Sequence, residues 1–238
     1  MGFERILYYL REYFFPSGCG GCGEALLSTE DAYTGLCGNC RAVFQFAYNE
    51  KNRCRYCGRQ LISEIDHCLS CRQKEAGKNE RFNKNLVKII ALFPYSGKFR
   101  FVLSAYKFGK MLGTGNFLSR FLILAQEDLD EELDIVGTNV AWVPVPPRPR
   151  KIMQHGWDQI EFLAGRLERA RKSGAKTAPV CRCLKRLPSK SQKELNRDER
   201  ETNLKGKIAC IKQPPKTAIL FDDVITTGAT LGAALKLC

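Results

Sequence analysis

Hydrophobic positions change their rhythm twice along the chain. In residues 1–15, Phe3, Ile6, Leu7, Leu10 and Phe14 recur at helical spacing, and Pro16-Ser17-Gly18 closes the run, so the pattern predicts one helix. Residues 19–71 have no apolar period and are punctuated by cysteines. Residues 72–85 are polar and read as a linker. From Leu86 onward the pattern becomes that of an α/β domain. Residues 86–93 read as a strand, residues 98–127 as helix with a break near Gly113-Thr114-Gly115, and residues 139–145 as a short strand ending in prolines. Asp158 is placed to cap a helix whose Ile160, Leu163, Ala164 and Leu167 share one face. Residues 178–183, 207–211 and 218–221 read as further strands. Strands alternating with helices predict a mainly parallel sheet flanked by helices. The expected organisation is an N-terminal helix and cysteine module over residues 1–80 and an α/β domain over residues 86–238.

Composition adds limits. With 238 residues, 44% of them hydrophobic and 26% charged, the chain has room for one α/β domain and a small accessory module. No stretch approaches the roughly 18 uncharged apolar residues of a membrane span. Glu4 and Arg11-Glu12 interrupt any secretory apolar run, and position 6 lacks the Ser or Thr of a myristoylation signal. The expectation is a cytoplasmic protein. The first helix then serves as an apolar floor for the cysteine module; the alternative, a membrane-surface helix, has only Arg5 and Arg11 to support it.

Eight of the 12 cysteines form four Cys-x-x-Cys pairs: Cys19/Cys22, Cys37/Cys40, Cys54/Cys57 and Cys68/Cys71. Each pair bends two sulfurs to one side, and two pairs complete a tetrahedral S₄ site. Two structural Zn²⁺ ions are expected, with rubredoxin-like iron as the rival. Sequential and cross-braced pairing are both open. With no coordination position left vacant, the module is expected to be structural or binding rather than catalytic. His67 is a neighbour of Cys68 that four sulfurs leave without a ligand role. Cys181, Cys183, Cys210 and Cys238 show no metal spacing. The formal charge is +13; eight thiolates and two Zn²⁺ bring it to about +9, which still permits a polyanionic partner. Arg53, Arg55, Arg59, Arg72 and Tyr56 surround the second module, where they suit either nucleic acid or plain solvation.

The sharpest motif follows the apolar run at residues 218–221. It reads Asp222-Asp223-Val224-Ile225-Thr226-Thr227-Gly228-Ala229-Thr230. A loop leaving a parallel strand to open a helix presents unpaired N–H groups, which suits phosphate. Gly228 and Ala229 allow close backbone approach, and the threonines add donors. This segment resembles the phosphoribosyl-pyrophosphate (PRPP) fingerprint of type I phosphoribosyltransferases. That resemblance implies that Asp222 and Asp223 hold the ribose 2′- and 3′-hydroxyls and that residues 226–230 hold the 5′-phosphate. It also implies the type I phosphoribosyltransferase fold, with Mg²⁺ arriving together with PRPP.

Two other segments suit the same ligand. The stiff basic stretch Val143-Pro144-Val145-Pro146-Pro147-Arg148-Pro149-Arg150-Lys151 could aim Pro146, Arg148, Arg150 or Lys151 at a pyrophosphate, and a strained or cis peptide is plausible there. Residues 184–206 are polar and of mixed charge, and read as a lid carrying Lys190 and Arg197. Almost end to end, the chain resembles the ComF competence family. The features are Phe14-Phe15-Pro16, the cysteine pairs, Phe93-Pro94-Tyr95-Ser96-Gly97, Ala105-Tyr106-Lys107-Phe108-Gly109, the Val-Pro-Val-Pro loop, and Arg186, Gln192, Leu195, Arg200 and Asn203. The resemblance implies a double zinc ribbon ahead of a phosphoribosyltransferase domain and a role in DNA uptake during natural transformation. Single-stranded DNA and uptake machinery would then be partners. Where the family has Arg-Gly-Phe-Asn-Gln, this chain has His155-Gly156-Trp157-Asp158-Gln159, which exchanges a fixed cation for histidine and adds a carboxylate. Relatives continue past the final helix, so a shortened C-terminal end is expected. The alternative function is an active phosphoribosyltransferase of nucleotide or base metabolism, whose acceptor the residues do not name.

Overall fold

The computed structural model describes residues 18–50, 52–54, 58–75, 89–133, 139–149, 151–188, 207–225 and 228–238. The expected first helix and residues 189–206 of the expected lid lie outside these residues. The described elements are α1 (Thr29–Thr34), α2 (Gly38–Asn49), α3 (Leu69–Glu75), α4 (Gly97–Gly109), α5 (Leu112–Leu133), β1 (Val140–Pro144), α6 (Lys151–His155), α7 (Gln159–Lys172), β2 (Leu184–Arg186), β3 (Ile208–Cys210), β4 (Thr217–Phe221) and α8 (Ala229–Leu235). Packing divides them into two compact units. The first comprises the described parts of Met1–Lys51 with Leu92–Leu122; the second comprises those of Asn52–Ala91 with Ile123–Cys238. None of the described helices is long and apolar enough to cross a membrane.

In the first unit an aromatic cluster forms the floor under the first cysteine set. Phe44 of α2 meets Phe93, Phe99 and Phe117 edge-on at centroid distances of 4.8, 4.7 and 5.6 Å. Phe121 extends the cluster toward Tyr48 at 5.2 Å. Cys19, Leu26, Leu36 and Cys40 belong to the same buried core. Residues 89–93 form no strand; Phe93 instead spends its side chain on this cluster. The helical break also differs from expectation. It falls at Lys110, whose φ of 51° caps α4, while Gly113 and Gly115 lie inside α5. Gly113 is there for packing: a Cβ on it would sit 2.8 Å from the Gly35 nitrogen and 3.1 Å from the Tyr33 carbonyl oxygen.

The second unit holds the sheet. β1 and β4 run parallel in register, from Val140 opposite Thr217 to Pro144 opposite Phe221. On the other side of β1, Trp142 forms a parallel bridge with Val180, through Trp142 N–H to the Pro179 carbonyl at 2.9 Å and Cys181 N–H to the Trp142 carbonyl at 2.7 Å. β1 is therefore sandwiched between two strand segments and buried at every position, as its unbroken apolar sequence demands. β2 and β3 pair antiparallel, Leu184 opposite Cys210. Residues 184–186, read from sequence as the start of a lid, are strand instead. Their local polarity hides a partner that lies more than twenty residues further on.

α7 behaves as its sequence requires. Asp158 caps it by accepting from the N–H groups of Ile160 (2.9 Å) and Glu161 (3.1 Å), and Ile160, Leu163, Ala164 and Leu167 are buried. Arg182 reaches back to this helix, donating to Glu161 at 2.8 Å and Glu168 at 2.6 Å. Under the sheet, the carboxamide oxygen of Gln126 accepts from the Trp142 indole (2.9 Å), the Thr177 hydroxyl (3.0 Å) and the Ala178 amide (2.9 Å).

Candidate functional site

The two ribbons are built from one repeated turn. In the first, Cys19 N–H donates to the Glu24 carbonyl at 2.7 Å and Gly23 N–H to the Cys19 carbonyl at 2.8 Å. In the second, Cys54 N–H donates to Arg59 at 2.7 Å and Gly58 N–H to Cys54 at 2.8 Å. Gly23 and Gly58 both adopt left-handed φ, at 81° and 69°, which a side chain would oppose. Leu26 and Leu61 are buried at matching places.

The ligand atoms of Cys19, Cys22, Cys37 and Cys40 all lie within 4.8 Å of one another, as do those of Cys54, Cys68 and Cys71. Cys57 lies outside the described residues. This is the sequential pairing, and His67 joins neither group. The sulfurs of Cys22 and Cys37 are 3.7 Å apart. A Zn–S bond of about 2.3 Å places two ligands of a tetrahedron about 3.8 Å apart, so the spacing fits the metal. Amides of Gly21 and Cys37 point at the Cys19 sulfur from 3.4 and 3.3 Å. Burial opposes ionisation of Cys19, but the Cys37 and Gly21 amides outweigh it and lower the thiol to about 7. Cys40, buried among sulfurs without such help, is pushed up. The donor set and spacing fit structural Zn²⁺.

The second candidate site lies where β1 and β4 end together. Because Pro144 stands opposite Phe221, the proline loop and the two acids leave the sheet side by side, tied by Val145 N–H to the Phe221 carbonyl at 3.1 Å. Ligands of parallel sheets bind beyond this edge. Pro146 is buried and Arg148 half-buried. The described peptides of the loop are trans, contrary to the sequence expectation of a strained or cis bond. Asp222 and Asp223 are both half-buried rather than turned into the core. The Asp222 carboxylate accepts from Asp223 N–H at 2.8 Å, and Asp223 accepts from the side chain of Gln159. Gly228 is the N-cap of α8, with φ 76° and no side-chain cap hydrogen bond of its own. Thr230 is half-buried; Thr226, Thr227, Arg150, Lys190 and Arg197 lie outside the described residues, as does the Ala229 side chain.

Two residues enter that the motif did not single out. Lys151, a candidate pyrophosphate ligand, turns instead to Asp158 at 2.6 Å and to Gln159, which bonds Asp223. One carboxylate, that of Asp158, thus both caps α7 and neutralises Lys151. Arg186, quoted only as part of a lid pattern, ends β2 with its Nε and Nη2 buried and without a hydrogen-bond partner among the described residues. Burial and the neighbouring Arg148 lower its pKa, while Asp222 raises it. The sequence pattern places Arg186 in the lid segment; its neighbourhood with Arg148 and Asp222 comes from the structure.

A family model described as "Double zinc ribbon domain" matches residues 10–78. Over 230 residues the chain is 27% identical to "Competence protein F" of Haemophilus influenzae, covering 94% of this chain and 91% of that protein. Over 216 residues it is 27% identical to "Competence protein ComFC" of Streptococcus pneumoniae, covering 89% of this chain and 84% of that protein. No solved structure matches the chain significantly.

Proposed function

The chain belongs to the ComF competence family, and from that footing we propose that it binds PRPP in a type I phosphoribosyltransferase fold and acts in DNA uptake. The observation that carries the ligand reading is Arg186. A guanidinium with two buried, unpartnered nitrogens costs several kcal/mol unless an anion arrives, roughly 1–3 kcal/mol for each orphaned donor. Beside it stand Arg148 and, on the sugar side, Asp222. The arrangement suits a pyrophosphate over Arg186 and Arg148, a ribose at Asp222 and Asp223, and a 5′-phosphate against residues 226–230. Mg²⁺ would accompany PRPP and neutralise part of its charge. The chain's own part is to orient the sugar and hold the phosphates apart from water.

Calorimetry with Mg²⁺–PRPP tests this. The wild type should bind and Asp222→Ala/Asp223→Ala should not; absence of heat from the wild type removes the PRPP reading. The competence role comes from the relatives' names, and the basic charge of +13 is in keeping with it. Single-stranded DNA affinity should fall steeply as salt rises, because each neutralised phosphate releases counterions. No measurable affinity at low salt would remove DNA from the proposal. Pyrophosphate release in an acceptor screen would favour the catalytic alternative.

A further inference from the structure

We propose that Gln159 is a positioning residue: it holds the Asp223 carboxylate in the orientation that receives a sugar hydroxyl, and so sets affinity for the sugar half of the ligand. The inference rests on the PRPP reading of this site and adds to it a residue that acts through Asp223.

Four side chains form one line of hydrogen bonds. The almost wholly buried Asp158 carboxylate accepts from the Lys151 ammonium at 2.6 Å. Lys151 also donates to the carboxamide oxygen of Gln159. The carboxamide nitrogen of Gln159 donates to Asp223. Lys151 opens α6, Asp158 caps α7, Gln159 is the first residue of α7, and Asp223 follows β4. Three separate parts of the chain thus converge on one carboxylate.

Each link fixes the next. Asp158 is held in place because its other oxygen accepts from the N–H groups of Ile160 and Glu161. A lysine ammonium has donors only, so the oxygen of the Gln159 carboxamide must face it. The NH₂ end is left for Asp223, and the cation settles which way the amide points. Asp223 is tied again through its own N–H, which donates to Asp222 at 2.8 Å.

The order of the links matters chemically. A lysine bonded directly to Asp223 would neutralise it and occupy its lone pairs. A carboxamide donates a hydrogen bond and leaves the negative charge in place, so the carboxylate still accepts from a hydroxyl. Orienting the carboxylate before the sugar arrives spares the ligand the entropy of ordering it. Pyrophosphate, which the PRPP reading seats over Arg148 and Arg186, does not draw on this arrangement.

Calorimetry on the zinc-loaded full chain tests this with two probes, Mg²⁺–PRPP and Mg²⁺–pyrophosphate. Gln159→Leu fills similar space without the donor. Its PRPP affinity should fall about three- to tenfold, the size of one lost hydrogen bond, with pyrophosphate affinity as in wild type. Gln159→Glu keeps an acceptor for Lys151 and sets a carboxylate against Asp223, so its PRPP affinity should fall further at neutral pH. Taken as a ratio to wild type at each pH, that loss should shrink as pH falls, because a protonated carboxyl recovers the donor. Lys151, Asp158 and Asp222 surround the position in both proteins, so the ratio isolates the new group. Unchanged PRPP affinity in Gln159→Leu overturns the proposal. So does a parallel loss of both probes, or a Gln159→Glu ratio that ignores pH. A wild type that binds no PRPP removes the PRPP reading itself; one that binds it no better than Gln159→Leu removes this inference alone.

Discussion

Arg186 and Gln126 illustrate opposite fates of a buried polar side chain. Gln126 is fully employed: its oxygen takes three donors, from Trp142, Thr177 and Ala178, all buried with it. Gln126→Leu strands those donors and should cost about 2–3 kcal/mol, measured by urea unfolding. The Nε and Nη2 of Arg186 have no such partner among the described residues. Arg186→Met should therefore leave stability unchanged or raise it by about 1 kcal/mol, while PRPP affinity falls at least tenfold by calorimetry. A variant that unfolds more easily would mean Arg186 is structural. Neither role was legible in the sequence. Acids and a Thr-Thr-Gly run announce themselves as a local motif, whereas the value of Gln126 or Arg186 depends on neighbours brought in from distant elements.

At the scale of elements, local rules succeeded where local partners suffice. Asp158 caps α7 and the four apolar positions face inward because cap and face lie within one helix. They failed at residues 98–127, where two glycines suggested a break. Gly113 is instead a contact residue, and Lys110 turns the chain. Gly113→Ala gains about 1 kcal/mol in helix propensity but drives a Cβ into the backbone of residues 33–35, an overpacking cost of about 1–3 kcal/mol. The expected net result is a lower melting temperature. α1 supplies a pH test. Burial works against ionisation of Asp31, but the Arg41 guanidinium and the Ser28 cap hold its pKa below the ordinary carboxylate range. A depressed folded value gives stability above the unfolded pKa and loses it as pH falls through the folded one. Asp31→Asn should be less stable than wild type at neutral pH, and the gap should vanish at the acid end of a denaturation series.

For the whole molecule, the ribbons make stability depend on metal. Two zinc atoms per chain are expected by elemental analysis, and one or none would reject the S₄ assignment. Acid should release them as thiolates protonate, and a chelator should unfold the ribbons, visible as lost circular dichroism. The cysteine module was the part most legible in sequence, since four paired spacings define it without reference to the rest of the chain. The parallel sheet was legible in its outline, through runs such as residues 139–145 and 218–221. The pairing of β2 with β3 was not, because antiparallel partners with a long polar insertion give no local signature.

The two tryptophans are placed as a matched pair of optical reporters. Trp142 is almost wholly screened from solvent, with its indole N–H tied to Gln126 and Thr177, so its emission should be blue and insensitive to quenchers. Trp157 is half-buried between α6 and α7, against Phe162 and immediately before the Asp158–Gln159 relay that reaches Asp223. Its colour should shift when the acids engage a sugar. The unmodified chain thus separates unfolding from occupancy by wavelength, with no dye attached.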